Sequence, residues 1–198
     1  MNWNVIAAYL HANWIEWGGF LTAVIGIWLS TLRRVSSWPV DLISDVLYWI
    51  VFYRANLQSS AWLQIAFIVF TFYGWWNWAH SKSHEGEVRV VPLATRGWIA
   101  GLAAGVLGSV LLTLWMQHTK ADLAGPDATL AVFSLLATWW ETRRHIASWW
   151  LWLAINVAYV CEYFYTRLYL TAGLYALLAL LAVVGWRKWR RALAAQEA

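Results

Sequence analysis

The sequence predicts an all-α integral membrane protein of seven transmembrane helices, laid out as two parallel three-helix repeats around one linking helix, a 3+1+3 plan. Three observations carry that prediction. The 198-residue chain is 62% hydrophobic and only 12% charged, with a mean hydropathy of +0.51, whereas an ordinary soluble domain is about 25% charged. Seven apolar runs divide it along its length. One pattern, Gly-Trp-x-x-Trp, is written twice at a spacing of 111 residues, as "GWWNW" at Gly74–Trp78 and "GWRKW" at Gly185–Trp189.

The apolar runs cover 14–32, 38–56, 59–79, 96–116, 127–142, 149–166 and 168–187. Most match the ~20 residues that a helix needs to cross the hydrocarbon; the fifth is shorter. Lipid offers no partner to a backbone amide, so runs of this length are helical, and the alternation of a membrane barrel is absent. Polar breaks fall at His80–Arg96 and Gln117–Asp127. The expected organisation is an N-terminal tail (1–13), a first repeat (14–79), a loop with the linking helix (80–126, helix 96–116), a second repeat (127–189) and a tail (190–198). Met1–Tyr9 lacks the basic region of a cleavable signal, and the single Cys161 excludes an internal disulfide.

Charge fixes an expected orientation. Eleven of the fourteen Lys and Arg residues fall in connections on one side: Arg33, Arg34, Lys82, Arg89, Arg96, Arg143, Arg144 and the cluster Arg187–Arg191. Arg54, Lys120 and Arg167 fall on the other. The excess of basic residues marks the cytoplasmic side, which places the N-terminus outside and the C-terminus inside. The same bias accounts for the net charge of +4 without a nucleic-acid partner.

The offset of 111 extends well beyond the tryptophan motif. Trp28 matches Trp139, Thr31 matches Thr142, Arg33 matches Arg144, Ser37-Trp38 matches Ser148-Trp149, and Tyr48 matches Tyr159, all without a gap; Leu57 matches Leu168 and Leu63 matches Leu174. Four segments separate corresponding helices, so both copies enter the membrane in the same direction. Parallel repeats of this kind carry substrate at the repeat interface.

The duplication also selects candidate site residues. Asp41, Asp45, Tyr48 and Phe52 share one face of the second segment, and their counterparts Trp152, Asn156, Tyr159 and Tyr163 share the matching face of the sixth. Asp45 and Asn156 lie near mid-helix, where an ionisable group costs at least ~2.5 kcal/mol and normally faces a cavity or a partner. The competing role is an interhelical hydrogen bond, worth under about 1 kcal/mol. Gln64, Thr71, Trp75 and Trp78 form a stripe on the third segment; Ser134, Thr138 and Glu141 form one on the fifth. Each stripe is open to two readings, a polar path or hydroxyls bonded to their own backbone. Glu162, whose counterpart is Val51, is either a counter-charge for a cationic substrate or an acid snorkelling to the outer surface.

At these residues the chain resembles the PnuC family of bacterial vitamin transporters. The resemblance runs from about Trp14 to Arg191 and rests on "FYGWWNW", on "TRR" followed by "SWWLWLAINVAYV", and on "RLYLTAGLYALLALLAVVGWRKW". It implies a seven-helix arrangement like that of the SWEET sugar transporters, a homotrimer in the bacterial inner membrane, and import of nicotinamide riboside by facilitated diffusion with alternating access. A cytoplasmic kinase would trap the product. Asn156 and Tyr159 match the family's Asn-x-x-Tyr, and Trp75 and Trp78 its Gly-Trp-x-x-Trp. Thr138 replaces an expected Gln before Trp139, and Glu162 replaces an expected apolar residue, which keeps thiamine or another cationic vitamin open as substrate. No cofactor is expected. A membrane enzyme is the remote alternative: the sequence has no Walker A loop, no Gly-x-Ser-x-Gly and no His-Glu-x-x-His. The His80/His84/Glu85 cluster reads as a solvated loop rather than a metal site. A structural or assembly protein would leave the duplicated polar face unexplained.

Overall fold

The computed structural model describes residues 14–54, 58–81, 87–116, 124–165, 167 and 169–197. Its elements are seven helices: α1 (Trp14–Thr31), α2 (Ser37–Arg54), α3 (Gln58–Ala79), α4 (Thr95–Met116), α5 (Ala124–Thr142), α6 (Ser148–Tyr165) and α7 (Tyr169–Glu197). They fall on the seven apolar runs. α5 begins three residues before its run, at Ala124, with Pro126 in its first turn, where the missing N–H costs nothing. α7 runs on through residues 190–197, expected as a tail, because Arg, Ala, Leu and Gln are good helix formers whether or not lipid surrounds them.

Six helices close a ring. α1 packs on α2, α2 on α3, α3 on α5, α5 on α6, α6 on α7, and α7 returns to α1; α4 stands outside, against α5. Gly101 and Gly105 let α4 approach closely, since a Cβ at either would lie 2.5 Å from the indole of Trp140 or 2.8 Å from the ring of Phe133. Small residues four apart are the usual means of bringing membrane helices together.

Polarity runs opposite to that of a soluble protein. Ser30, Thr31, Ser44, Thr71, Ser134, Thr138, Thr142 and Asn156 are buried, while Ile99, Val106, Leu107, Val110, Leu111 and Leu114 of α4 are exposed. An apolar exterior of this extent is covered by lipid. By length and mean hydropathy alone, α4 and the Ala172–Gln196 part of α7 are long and apolar enough to span a membrane. The remaining helices score lower because they carry much of the Trp and Tyr, residues with large apolar bodies and one polar atom that suit the membrane interface.

Local geometry repeats at the offset of 111. α1 ends with Arg33 in the left-handed region (φ 58°) and α5 with Arg144 likewise (φ 64°). In both, two amides cap the helix: Arg33 N–H to Ser30 O at 2.9 Å and Arg34 N–H to Leu29 O at 3.2 Å, then Arg144 N–H to Glu141 O at 2.8 Å and His145 N–H to Trp140 O at 2.9 Å. This is the Schellman arrangement, in which glycine is the usual left-handed residue. The extended segment around Val88–Val91 lies across both corners. Val88 donates to Arg33 O, Val91 donates to Arg144 O, and Val91 O accepts from Ile146 N–H.

Candidate functional site

Four tryptophans seal the basic end of the ring. Trp38 meets Trp78 edge-on at 5.2 Å, Trp149 meets Trp189 edge-on at 5.5 Å, and Trp78 touches Trp189 at 5.7 Å between centroids. All four are buried. The motif glycines make this possible: a Cβ at Gly74 would lie 2.3 Å from the Trp38 ring, and one at Gly185 would lie 2.6 Å from that of Trp149. Glycine and the second tryptophan, at i and i+4, share a helix face; the glycine receives a ring from α2 or α6 and the tryptophan closes over it. Trp78 Nε1 donates to Glu141 O at 3.0 Å and Trp189 Nε1 to Ser30 O at 3.0 Å, each fastening α3 or α7 to the helix that follows it around the ring.

One layer deeper is a polar cluster at the centre. Ser30 Oγ donates to the Glu141 carboxylate, and Trp152 Nε1 donates to its other oxygen at 2.9 Å. Ser30 and Glu141 are themselves 111 residues apart, so they meet face to face across the ring. The Asp41 carboxylate lies against Gly26, where a Cβ would be only 1.7 Å from Oδ1, and feels the charges of Glu141 and Asp45. Among the described residues no basic side chain pairs with Asp41, Asp45 or Glu141.

Further along, Asp45 Oδ2 accepts from Thr71 Oγ1 at 2.8 Å, joining α2 to α3. Asn156 is 6% exposed, yet its amide makes no hydrogen bond with another described residue. Ser134 and Thr138 are buried on α5, and the Thr138 hydroxyl donates to Ser134 O at 2.9 Å, the backbone alternative weighed for this stripe. Gln64 is half-buried, two turns from Thr71 towards the far end.

Aromatic rings dominate that far end. Tyr48 stacks on Phe52 at 5.9 Å with 20° between planes, and Tyr159 stacks on Tyr163 at 5.8 Å with 17°. Tyr175 closes on both, at 4.5 Å from Tyr159 and 5.2 Å from Tyr163. Acids rim the group: Glu162 and Asp127 act on Tyr159 and Tyr163, and Glu16 acts on Tyr48.

The structure therefore gathers Asp45, Tyr48, Thr71, Asn156, Tyr159 and Tyr163 along the interior, with Ser134 and Thr138 buried on α5 and Glu162 at the rim. It sets two candidates apart. Trp78 is fully enclosed by the tryptophan layer, which leaves no ring face for a ligand; Trp75, 38% exposed, stacks on no other ring among those described. Three residues that the sequence reading did not single out, Tyr175, Glu16 and Asp127, come to the fore beside Glu141. Glu141 belonged to the α5 stripe, and the offset finds the others: Gln64 maps onto Tyr175, and Glu16 onto Asp127. Of the loop cluster, His80 Nδ1 lies 2.7 Å from Trp76 O, while His84 and Glu85 lie outside the described residues.

Comparison with known proteins agrees with this architecture. Residues 13–191 match the family model described as nicotinamide mononucleotide transporter. The nicotinamide riboside transporter PnuC of Escherichia coli K12 is 27% identical over 89% of this chain and 85% of its own length. The riboflavin/roseoflavin transporter RibM of Streptomyces davaonensis is 28% identical over 96% of this chain and 92% of its own length. The crystal structure of the vitamin B3 transporter PnuC superimposes with a TM-score of 0.77 at 21% identity, over 96% of this chain and 86% of that one, and so shares the fold. With a family model spanning nearly its whole length, the chain belongs to the nicotinamide mononucleotide transporter family, the PnuC family that its sequence resembles.

Proposed function

We propose that this membrane transporter imports nicotinamide riboside by facilitated diffusion, through a site between two parallel three-helix repeats. In this reading α1–α3 and α5–α7 are the repeats and α4 links them, the SWEET-like 3+1+3 plan. The recurrence of the helix caps, the tryptophan pairs and the ring contacts at one offset supports it. The ligand is a flat cation bearing a carboxamide and ribose hydroxyls. Tyr48, Tyr159 and Tyr163 supply ring faces for a cation–π contact; Asn156, Thr71, Ser134 and Thr138 supply amide and hydroxyl partners; Asp45 and Glu162 supply negative charge.

The single observation that carries the proposal is Asn156. The Asn156 side chain is largely buried and bonds no other described residue, yet its amide is not sealed off as the Nε1 atoms of Trp38 and Trp149 are, so a ligand amide can reach it and pair with it reciprocally, donor to acceptor. Tyr159, one turn away on the same face, is placed to hold the ring that bears that amide.

The contrast between the two ends supports alternating access. The basic end, taken as cytoplasmic, is shut by Trp38, Trp78, Trp149 and Trp189, while the tyrosine end carries Glu16, Asp127 and Glu162 to attract a cation. Rocking of the repeats would part the tryptophan layer and release the vitamin to a cytoplasmic kinase, whose product cannot return. Trp78 then acts as a gate and not as a binding residue. A homotrimer, the N-terminus outside and the C-terminus inside are retained from the family resemblance and the charge bias.

The RibM relative favours a second reading, a neutral flat vitamin such as riboflavin held by the same tyrosines; thiamine remains the cationic alternative. Calorimetric titration of nicotinamide riboside, thiamine and riboflavin into purified protein separates them. Tight binding of nicotinamide riboside, abolished by Asn156→Leu with folding intact, is the expected result. Binding of another vitamin alone would overturn the substrate. Accumulation in liposomes against a gradient, without kinase but with an imposed proton or sodium gradient, would overturn facilitated diffusion.

A further inference from the structure

At the basic end, α7 and the α1–α2 corner enclose a concavity of about 320 Å³ lined by Thr31, Arg33, Glu87, Lys188 and Arg191. Three cations face one carboxylate, and that carboxylate, Glu87, is bound to Arg33. Lys188 and Arg191 are three residues apart and share a face of α7. Among the described residues neither has a carboxylate partner. Lys188 Nζ lies 4.3 Å from the centroid of the Trp28 ring and donates to Thr31 Oγ1 over a long 3.4 Å, which leaves two of its three protons uncommitted. Trp28 is 46% exposed, so the mouth of the concavity opens beside the lipid-facing surface.

The second half of the molecule provides an internal control. At the offset of 111, Thr31 and Arg33 recur as Thr142 and Arg144, but Lys188 and Arg191 correspond to Asn77 and His80. There the corner is closed by a neutral bond, Asn77 Nδ2 to Thr142 O at 2.6 Å. A general need for basic residues at the cytoplasmic side would be met by charges pointing anywhere. Here two cations have been added at one corner only, and both turn into the same concavity.

We infer that this concavity binds a phosphate group, held by Lys188 and Arg191 with Arg33 at its back. Phosphate prefers such a convergent set: an ammonium as a point charge and a guanidinium as a fork. Basic pockets between membrane helices at the cytoplasmic side take anionic lipid headgroups, and the position of Trp28 makes a phospholipid the first source. A soluble phosphate has the same chemistry and is the second.

The test uses the full chain purified in a neutral detergent, followed by thermal unfolding and native mass spectrometry. The probes are short-chain phosphatidylglycerol, phosphatidylcholine and inorganic phosphate. The expected result is saturable stabilisation and a retained adduct with phosphatidylglycerol, not with phosphatidylcholine. Arg191→Gln, at an exposed position, should weaken that response about tenfold, as the loss of one charge-assisted bond implies, without moving the melting point of the lipid-free protein. Lys188→Gln should weaken it similarly. Stabilisation by inorganic phosphate at equal strength, with the same sensitivity to both variants, would assign the site to a soluble ligand. Equal responses of wild type and both variants, or no response to either phosphate source, would overturn the inference.

Discussion

Two glycines of α7 should respond in opposite directions to the same added methyl group. Replacing glycine by alanine in a helix gains about 0.5–1 kcal/mol, because the unfolded chain loses freedom. At Gly173 nothing lies within 4 Å of the new Cβ, so Gly173→Ala should collect that gain. At Gly185 the Cβ would meet Cε2, Cε3 and Cη2 of Trp149 at 2.6 Å each. These are alternate atoms of the six-membered ring, which places the methyl over its centre. To restore ordinary contact at 3.4 Å the indole must retreat by about 0.8 Å. Trp189 stands against it at 5.5 Å between centroids, and Trp149 is only 2% exposed, so the ring has nowhere to go. Overpacking of this kind costs about 1–3 kcal/mol, and contact with three atoms of a rigid ring belongs at the upper end. Set against the propensity gain, the net cost is about 1–2 kcal/mol, or roughly 2–8 °C in melting temperature for a chain of this size. Thermal unfolding in detergent reads both variants side by side. If Gly185→Ala stabilises as much as Gly173→Ala, the clamp on Trp149 does not exist and the account of the tryptophan motif fails.

Other outcomes follow from single contacts. Thr71→Val removes the 2.8 Å bond to Asp45; an acid left short of a partner costs about 1–3 kcal/mol, and vitamin uptake should fall about tenfold while membrane expression holds. Asn77→Leu deprives Thr142 O of its 2.6 Å donor and leaves the Trp78 bond to Glu141 O to hold α3 to α5; a melting temperature lower by several degrees is expected, since a lost bond of this kind costs about 1–3 kcal/mol. Glu16→Gln with Asp127→Asn should slow uptake of a cationic vitamin and flatten its dependence on ionic strength, because charges at a mouth act mainly on capture. His145, in the α5–α6 corner, has its imidazole pushed below the usual histidine range by burial, and Arg143 and Arg144 push the same way. The unfolded chain then binds this proton more readily than the folded one. Stability is therefore full above the unfolded pKa of about 6.5 and is lost progressively below it, as pH falls through the lower folded pKa. His145→Gln should flatten that acid limb in a melting curve series.

The helices were legible because lipid leaves so few choices: a run of apolar residues long enough to cross must be a helix, and each of the seven is found on its run. Their ends were less so. α7 outlasts its apolar run, since hydropathy marks where lipid stops and helix propensity decides where the helix does. The expectation for Trp78 shows a different limit. A tryptophan in a stripe with Gln64 and Thr71 suggests the lining of a polar path. The stripe records only that its face turns inward, and at the basic end what lies inward is Trp38, Trp189 and the carbonyl of Glu141. Nothing in the local sequence distinguishes a ring packed into the interior from one that offers a face to a ligand.

Glu141 is the more instructive case. Its counterpart at the offset is Ser30, so an argument that prizes matching residues passes over the pair. A two-fold arrangement makes the opposite demand at its axis. Residues that meet their own counterparts there are in contact with each other, and two identical carboxylates in that position would repel, whereas a serine and a glutamate bond. Divergence between copies is therefore expected where the copies touch, and likeness where each performs the same task away from the axis. Trp78 and Trp189 can stay alike at the axis because two indoles pack without a charge to oppose. Tyr175 replaces Gln64, and Asn156 replaces Asp45, in the same interior, where a single asymmetric vitamin would meet both halves at once. A ligand without two-fold symmetry is best held by halves that have ceased to be identical around it. For the site proposed between the halves, the mismatches of the duplication, more than its matches, are therefore the positions to exchange first in a test of substrate choice.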